Sequence, residues 1–196
     1  GTIQGVLEYL GLPYTGPGVQ ASAVAIDKSA TRIVWQAAGL PVAEGLTVTS
    51  ADEAGRVARE LGSSVVVKPD NEGSSIGVTK LKDATEADIR VALETALKLD
   101  RRVLVEKRVF GREFTVAILN GKAQAIIEIK APEGDYDYRN KYFGNAVKYD
   151  CPAQLMEEKT REIQAACEAA FAALGARGWG RIDVMMDDDG DFVLLE

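Results

Sequence analysis

Three consecutive β-branched residues, Val65-Val66-Val67, run into Lys68-Pro69 and then into Asp70-Asn71-Glu72-Gly73-Ser74-Ser75-Ile76-Gly77, and this stretch narrows the architectures open to the chain. The valines read as a buried strand. Pro69 removes one ladder donor and holds Lys68 extended, so the strand ends on a cation. Gly73 and Gly77 bracket two serines, which lets several backbone N–H groups turn toward one point, a geometry suited to an anion. Val78-Thr79-Lys80-Leu81 then reads as a second strand, and Gly-x-x-x-x-Gly-Lys-Ser/Thr cannot be threaded through the segment, so it is not a Walker A loop. A strand–loop–strand flap over phosphates fits. Taken alone, a surface hairpin with a lysine at its strand end fits as well.

The rest of the chain alternates helix and strand. Ile3, Val6, Leu7 and Leu10 mark one helical face, with Gly11 placed to stop it. Gly16-Pro17-Gly18-Val19-Gln20-Ala21 matches the letters of a dinucleotide fingerprint but lacks a proper preceding strand and a following strand that ends in an acid. It reads better as a loop entering a helix. Ala21 to Ala38 is helical with a break at Ile26-Asp27, where Asp27 caps a second helix that Gly39 ends. Lys28 then lies in a first helical turn, where the helix dipole disfavours a cation unless an anion meets it; a solvated lysine is the ordinary alternative. A strand is expected over Pro41 to Thr49, a capping box at Ser50-Ala51-Asp52-Glu53, and a second cap at Asp83-Ala84-Thr85-Glu86 before a helix carrying Ile89, Leu93 and Leu97. With Val103 to Lys107 as a strand, the order from Pro41 to Glu106 is β-α-β-β-α-β, a small sheet with helices on one side.

Glu106 and Lys107 end an apolar strand, where a carboxylate beside a free backbone edge can read an amino group or simply face water. Glu113, a turn later, is placed to accept from hydroxyls. Asn120-Gly121 between Phe114–Leu119 and Gln124–Ile129 signals a hairpin and a second sheet. Gly134 to Asp150 gathers Tyr136, Tyr138, Tyr142 and Tyr149 without periodicity, which predicts a long ordered loop that closes on something. From Met156 a helix turns Ile163, Cys167, Ala170, Phe171 and Leu174 inward and ends near Gly175. Residues 179–196 read as two strands around an Asp-Gly turn, with Arg181 and Asp183 on one face and Glu196 closing the second strand. Carboxylates gathered there need a cation, either Arg181 or a divalent ion; the run Asp187-Asp188-Asp189 falls in the turn and faces water.

Composition excludes whole classes of chemistry. The 196 residues contain no histidine, so proton transfer falls to carboxylate, lysine, tyrosine, water or substrate, and any metal must be hard and oxygen-bound. Cys151 and Cys167 are far apart and read as ordinary thiols. A net charge of −7 argues against a nucleic-acid surface, although a local lysine cluster can still hold an anion. No apolar run approaches the roughly 18 residues of a membrane span, and the start resembles no signal peptide, so a soluble, cytoplasmic chain is expected. The missing initiator methionine and the apolar strand pattern still running at Glu196 suggest an excerpt.

Taken together, the flap, Glu106-Lys107, the tyrosine-rich stretch with Tyr136-Asp137-Tyr138 and Lys141-Tyr142, and Gly178-Trp179-Gly180-Arg181-Ile182-Asp183-Val184-Met185 resemble the ATP-grasp enzymes. With Gly1-Thr2-Ile3-Gln4-Gly5, Tyr14-Thr15-Gly16 and Ala25-Ile26-Asp27-Lys28 added, the resemblance narrows to the D-alanine–D-alanine ligase family. It implies an α+β ATP-grasp fold: two small α+β domains sandwiching ATP, at 27–113 and 114–196, preceded by the tail of an N-terminal α/β domain at 1–26. The implied reaction joins two D-alanines through an acyl phosphate to make a peptidoglycan precursor. Another carboxylate and amine, or a D-alanine–D-lactate pair, is the alternative.

The same resemblance assigns roles residue by residue. Lys28 and Lys68 would contact ATP phosphates, Lys141 the γ-phosphate, and Ser75 would offer its backbone N–H. Glu106, Lys107 and Val109 would frame adenine and Glu113 the ribose. Asp183 and Glu196 would hold Mg²⁺ (or Mn²⁺), Arg181 would steady the transferred phosphoryl group and the oxyanion, and Ser74 and Tyr142 would tie flap to lid. Members are usually homodimers of small-molecule enzymes, with no nucleic-acid or membrane partner. The family carries a further metal-binding asparagine two positions beyond the last glutamate, where this chain has ended. Asp135 and Arg108 stand where relatives often place an aromatic and a tryptophan.

Overall fold

The computed structural model describes residues 1–131 and 147–196, and contacts divide them into two units. One unit is Ala43–Val109. The other joins Gly1–Val42 to residues 110–131 and 147–196. Residues 27–42 therefore belong to the unit of the C-terminal sheet.

In the unit Ala43–Val109, strands β1 (Gly45–Val48), β2 (Val65–Pro69), β3 (Thr79–Lys80) and β4 (Val103–Lys107) form one sheet in the order β1-β4-β2-β3, every pair antiparallel. Helices α4 (Ala54–Leu61) and α5 (Glu86–Leu97) supply Ala54, Val57, Leu61, Ile89 and Leu93 to a core shared with Val65, Val67, Val103 and Val105. Strand alternation thus sends Lys68 and Glu106 to the face away from this core.

The expected elements are present with three corrections. The strand sought over Pro41 to Thr49 is confined to Gly45–Val48, because Val42 instead makes an isolated parallel bridge to Leu194. At Ser50 the helix opens through a 3₁₀ turn, Ala51–Glu53: the Ser50 hydroxyl accepts from the Asp52 N–H, and Glu53 Oε1 from the Thr49 N–H. The cap of α5 is Thr85, two residues beyond Asp83, and its reciprocal partner is Asp88. Asp83 itself has φ +49°, a turn conformation that short polar residues tolerate.

In the other unit, strands β5 (Arg112–Leu119), β6 (Lys122–Lys130), β7 (Lys148–Asp150), β8 (Trp179–Met186) and β9 (Phe192–Leu194) form an antiparallel sheet ordered β7-β6-β5-β8-β9. Asn120 and Gly121, with φ of +50° and +76°, make the tight turn between β5 and β6. Helix α6 (Glu157–Ala173) lays Ile163, Cys167, Ala170 and Phe171 onto Phe114, Val116, Ile118, Ile182 and Val184. Burial pushes the Cys167 thiol up to about 12, and the Asp183 charge adds to the shift, so it stays protonated as a small apolar side chain.

Helices α1 (Thr2–Tyr9), α2 (Val19–Ile26) and α3 (Lys28–Ala37) complete this unit. Asp27 caps α3 by accepting from the Ala30 N–H. The Trp35 indole N–H donates to the Ala170 carbonyl at 3.1 Å, which fixes the helix that carries Lys28 onto the core. Among the described residues no helix is long and apolar enough to cross a membrane.

Candidate active site

Within Ala43–Val109, Lys68 Nζ lies 2.6 Å from Glu106 Oε2, with only 12% and 5% of the two side chains exposed. The pair sits on the coreless face of β2 and β4, where Val66 stands opposite Glu106 and Lys68 opposite Leu104. Glu106 and Lys107, adjacent in sequence, go separate ways. Lys107 is exposed and pairs with Glu44 at 2.7 Å. Of the two readings of Glu106, the one with a free backbone edge does not hold at Glu106 itself, which pairs with Gly45 of β1 and Val66 of β2. Val109 is half-buried beyond the strand end.

The flap residues are strained. Ser74 and Ser75 have φ of +54° and +59°, rare for residues with a Cβ, and each costs of order 1–2 kcal/mol. Gly77 returns the chain to β3 at φ +71°, where a Cβ would lie 2.4 Å from Leu99 Cδ1 and 2.8 Å from Pro69 Cγ. Only glycine fits that return.

In the other unit, alternation along β5 and β8 puts Glu113 and Thr115 on one strand and Arg181, Asp183 and Met185 on the next, all facing away from α6. Arg181 Nη2 donates to Asp183 Oδ2 at 2.8 Å, and Thr115 Oγ1 donates to Oδ1 at 2.7 Å. Asp183 is 6% exposed. Glu196 reaches the same place through an irregularity in the ladder. The Asp183 N–H donates to the Glu196 carbonyl while the Leu195 N–H donates to the Asp183 carbonyl, so two residues oppose one, as in a β-bulge. Lys28 Nζ stands 3.6 Å from Glu196 Oε2 with its side chain 7% exposed. The cation in the first turn of α3 is thus met by an anion.

Burial raises the Asp183 carboxyl above its ordinary range, opposed first by Arg181 and the Thr115 hydroxyl, and Glu196 adds to the rise. An oxygen-rich site in which one carboxylate is disfavoured as an anion, and a second makes that worse, fits a hard divalent cation. Mg²⁺ typically takes one or two carboxylates and completes its shell with water and substrate oxygens. Among the described residues no group of three or more histidine, cysteine, aspartate or glutamate side chains gathers as metal ligands.

The structure therefore brings Lys28, Arg181, Asp183 and Glu196 together in one unit and Lys68 with Glu106 in the other. Glu113 lies on the same strand face as Thr115. Lys141 and Tyr142 fall outside the described residues, as does most of the tyrosine-rich stretch. Two contacts escaped sequence reasoning. Glu44 holds Lys107, and Thr115 holds Asp183. Period-two alternation from Glu113 puts Thr115 on the right face, but only the β5–β8 register shows that it meets Asp183.

Each of the two antiparallel sheets carries helices on one face and charged residues on the other, and this fold superposes on the ATP-grasp portion of solved ligase structures. The family model described as the D-ala D-ala ligase C-terminus matches residues 34–196. The chain is 46% identical to a D-alanine–D-alanine ligase of Acinetobacter baumannii, across all of this chain and 64% of that protein. It is 45% identical to one of Saccharophagus degradans, covering 62% of that protein. Among solved structures, a Bacillus anthracis D-alanine–D-alanine ligase superposes over the whole chain and 64% of its own, with a TM-score of 0.83 at 31% identity. The VanG D-Ala:D-Ser ligase of Enterococcus faecalis gives 0.85 at 29%, covering 58% of its chain. The chain belongs to the D-alanine–D-alanine ligase family, and it spans under two thirds of the length of these relatives.

Proposed function

We propose that the full-length protein joins two D-alanines at the expense of ATP. The observation that carries this reading is the grouping of Asp183, Glu196, Arg181 and Lys28, two carboxylates and two cations held by neighbouring strands and a capped helix. Asp183 and Glu196 would hold Mg²⁺ or Mn²⁺, which when bound neutralises phosphate charge. Lys28 and Lys68 would lie against ATP phosphates, each worth about 4 kcal/mol at ~4 Å in an effective dielectric of ~20. The strained Ser74-Ser75 turn supports a loop shaped to aim the Ser75 N–H at a phosphate.

Glu106, Lys107 and Val109 would frame the adenine and Glu113 the ribose. Lys141 would contact the γ-phosphate, and Ser74 and Tyr142 would link flap and lid. In the first step a D-alanine carboxylate oxygen attacks the γ-phosphorus and ADP leaves. In the second, the amine of another D-alanine attacks the acyl carbon, and the tetrahedral intermediate collapses with loss of phosphate and of the amine proton. Arg181 would face the negative charge that develops in both steps. By family likeness residues 1–26 would close a preceding domain and 27–113 and 114–196 would be the two ATP-grasp domains, while by packing residues 27–42 and 110–113 go with the second of these; we propose a cytoplasmic homodimer that supplies peptidoglycan synthesis.

Phosphate release from the full-length protein with ATP, Mg²⁺ and D-alanine is the test. No release with any D-amino acid overturns the reading. The likeness to a D-Ala:D-Ser ligase makes D-serine, and beside it D-lactate, the second substrates to set against D-alanine in the same assay.

A further inference from the structure

Thr115 stands directly opposite Asp183 in the β5–β8 ladder. Its hydroxyl donates to Oδ1 at 2.7 Å while Arg181 donates to Oδ2 at 2.8 Å. An ionised carboxylate offers about four lone-pair positions. One on each oxygen is thus taken, and one on each remains for another electron acceptor. The two donors differ in stiffness. Arg181 is a long side chain with 59% of its surface exposed, and it is assigned above to charge that appears during the reaction. Thr115 is β-branched, sits within a paired strand and has one side-chain torsion before its hydroxyl. Of the two it is the donor able to keep its geometry when phosphate charge draws the guanidinium away.

We propose that Thr115 is a positioning residue, whose hydroxyl fixes the rotation of the Asp183 carboxylate so that its remaining lone pairs face the metal in one orientation. Partners that orient metal-binding carboxylates typically change metal affinity or activity by about 10–100-fold when removed. The inference rests on the reading of Asp183 as a metal ligand, and the experiment separates the two.

Mn²⁺ binding to the full-length protein with a non-hydrolysable ATP analogue is followed by electron paramagnetic resonance for the wild type, Thr115→Val, Thr115→Ala, Thr115→Ser and Asp183→Asn. Circular dichroism verifies folding. The two hydroxyl-free variants are expected to weaken Mn²⁺ binding about 10–100-fold, with a parallel rise in the Mg²⁺ needed for half-maximal activity, and Thr115→Ser to restore both. Wild-type Mn²⁺ affinity in whichever hydroxyl-free variant folds, alongside lost binding in Asp183→Asn, overturns the role of Thr115 alone. Equal weakening by Thr115→Ser and Thr115→Val does the same, since it removes the hydroxyl as the cause. Unchanged binding in Asp183→Asn overturns the metal-ligand reading itself.

Discussion

Lys68 and Glu106 illustrate how much rests on single residues. Both are largely buried at a separation of 2.6 Å, so removing either leaves the other charge poorly solvated. Lys68→Met is expected to cost about 3–5 kcal/mol of folding stability beyond any effect on ATP, and Lys68→Met with Glu106→Leu to cost less than Lys68→Met alone. Urea denaturation of the three proteins checks the order; a double variant less stable than either single would show that the pair stabilises more than its desolvation costs. Glu128 gives a pH-dependent counterpart. Arg112 grips it through both carboxylate oxygens at 2.9 and 2.7 Å. Arg112, then Lys130, hold its carboxyl below the ordinary value of 4.5, against burial and the Asp150 charge. A depressed carboxyl contributes stability above its unfolded pKa and loses it as pH falls through the folded one. Stability of the wild type should therefore decline as pH drops below about 4.5, and Glu128→Gln should be less stable at pH 7 yet show a shallower decline. Equal slopes for both proteins would remove Glu128 from the account of acid sensitivity.

Elements carry constraints that no single side chain expresses. Gly111, just ahead of β5, has φ +148°, and a Cβ there would lie 2.1 Å from the Met186 carbonyl oxygen at the far end of β8. Gly111→Ala is expected to cost about 3 kcal/mol or more, since both the backbone conformation and the strand pairing must give way. A thermal melt within a degree or two of wild type would contradict that. Local pattern made most elements legible: Asp27 as a cap, Asn120-Gly121 as a turn, and the inward face of α6 all follow from spacing within a few residues. What failed depended on distant partners. Val42 leaves the expected strand for Leu194, far along the chain, and the pairing of Glu106 on both sides, with β1 as well as β2, was not readable locally. Glu196 was placed at a strand end by sequence, but simple alternation would have set Leu195 across from Asp183; the two-against-one pairing that turns Glu196 toward Asp183 and Lys28 is a property of the ladder.

At the scale of the whole molecule, the chain builds two cores that share no buried residue among those described, one under β1 to β4 and one between α6 and the five-stranded sheet. Sequence located both cores through the buried faces of α5 and α6, yet it drew the boundary by family likeness, and packing instead joins residues 27–42 to the second core through Trp35. Separate cores make a prediction about additivity. Leu93 and Ile163 are each fully buried, one in each core. Leu93→Ala and Ile163→Ala should each cost about 2–5 kcal/mol. Without shared partners their costs should sum in the double variant to within about 0.5 kcal/mol. Denaturant unfolding monitored by both fluorescence and circular dichroism checks this, because two units that melt apart give probe-dependent transitions, and each substitution should then displace only one of them. Single variants that shift both transitions equally would mean that the cores fold as one cooperative body although, among the described residues, they have no buried residue in common; a double variant that departs from the sum by several times that margin would mean that the two sites are coupled.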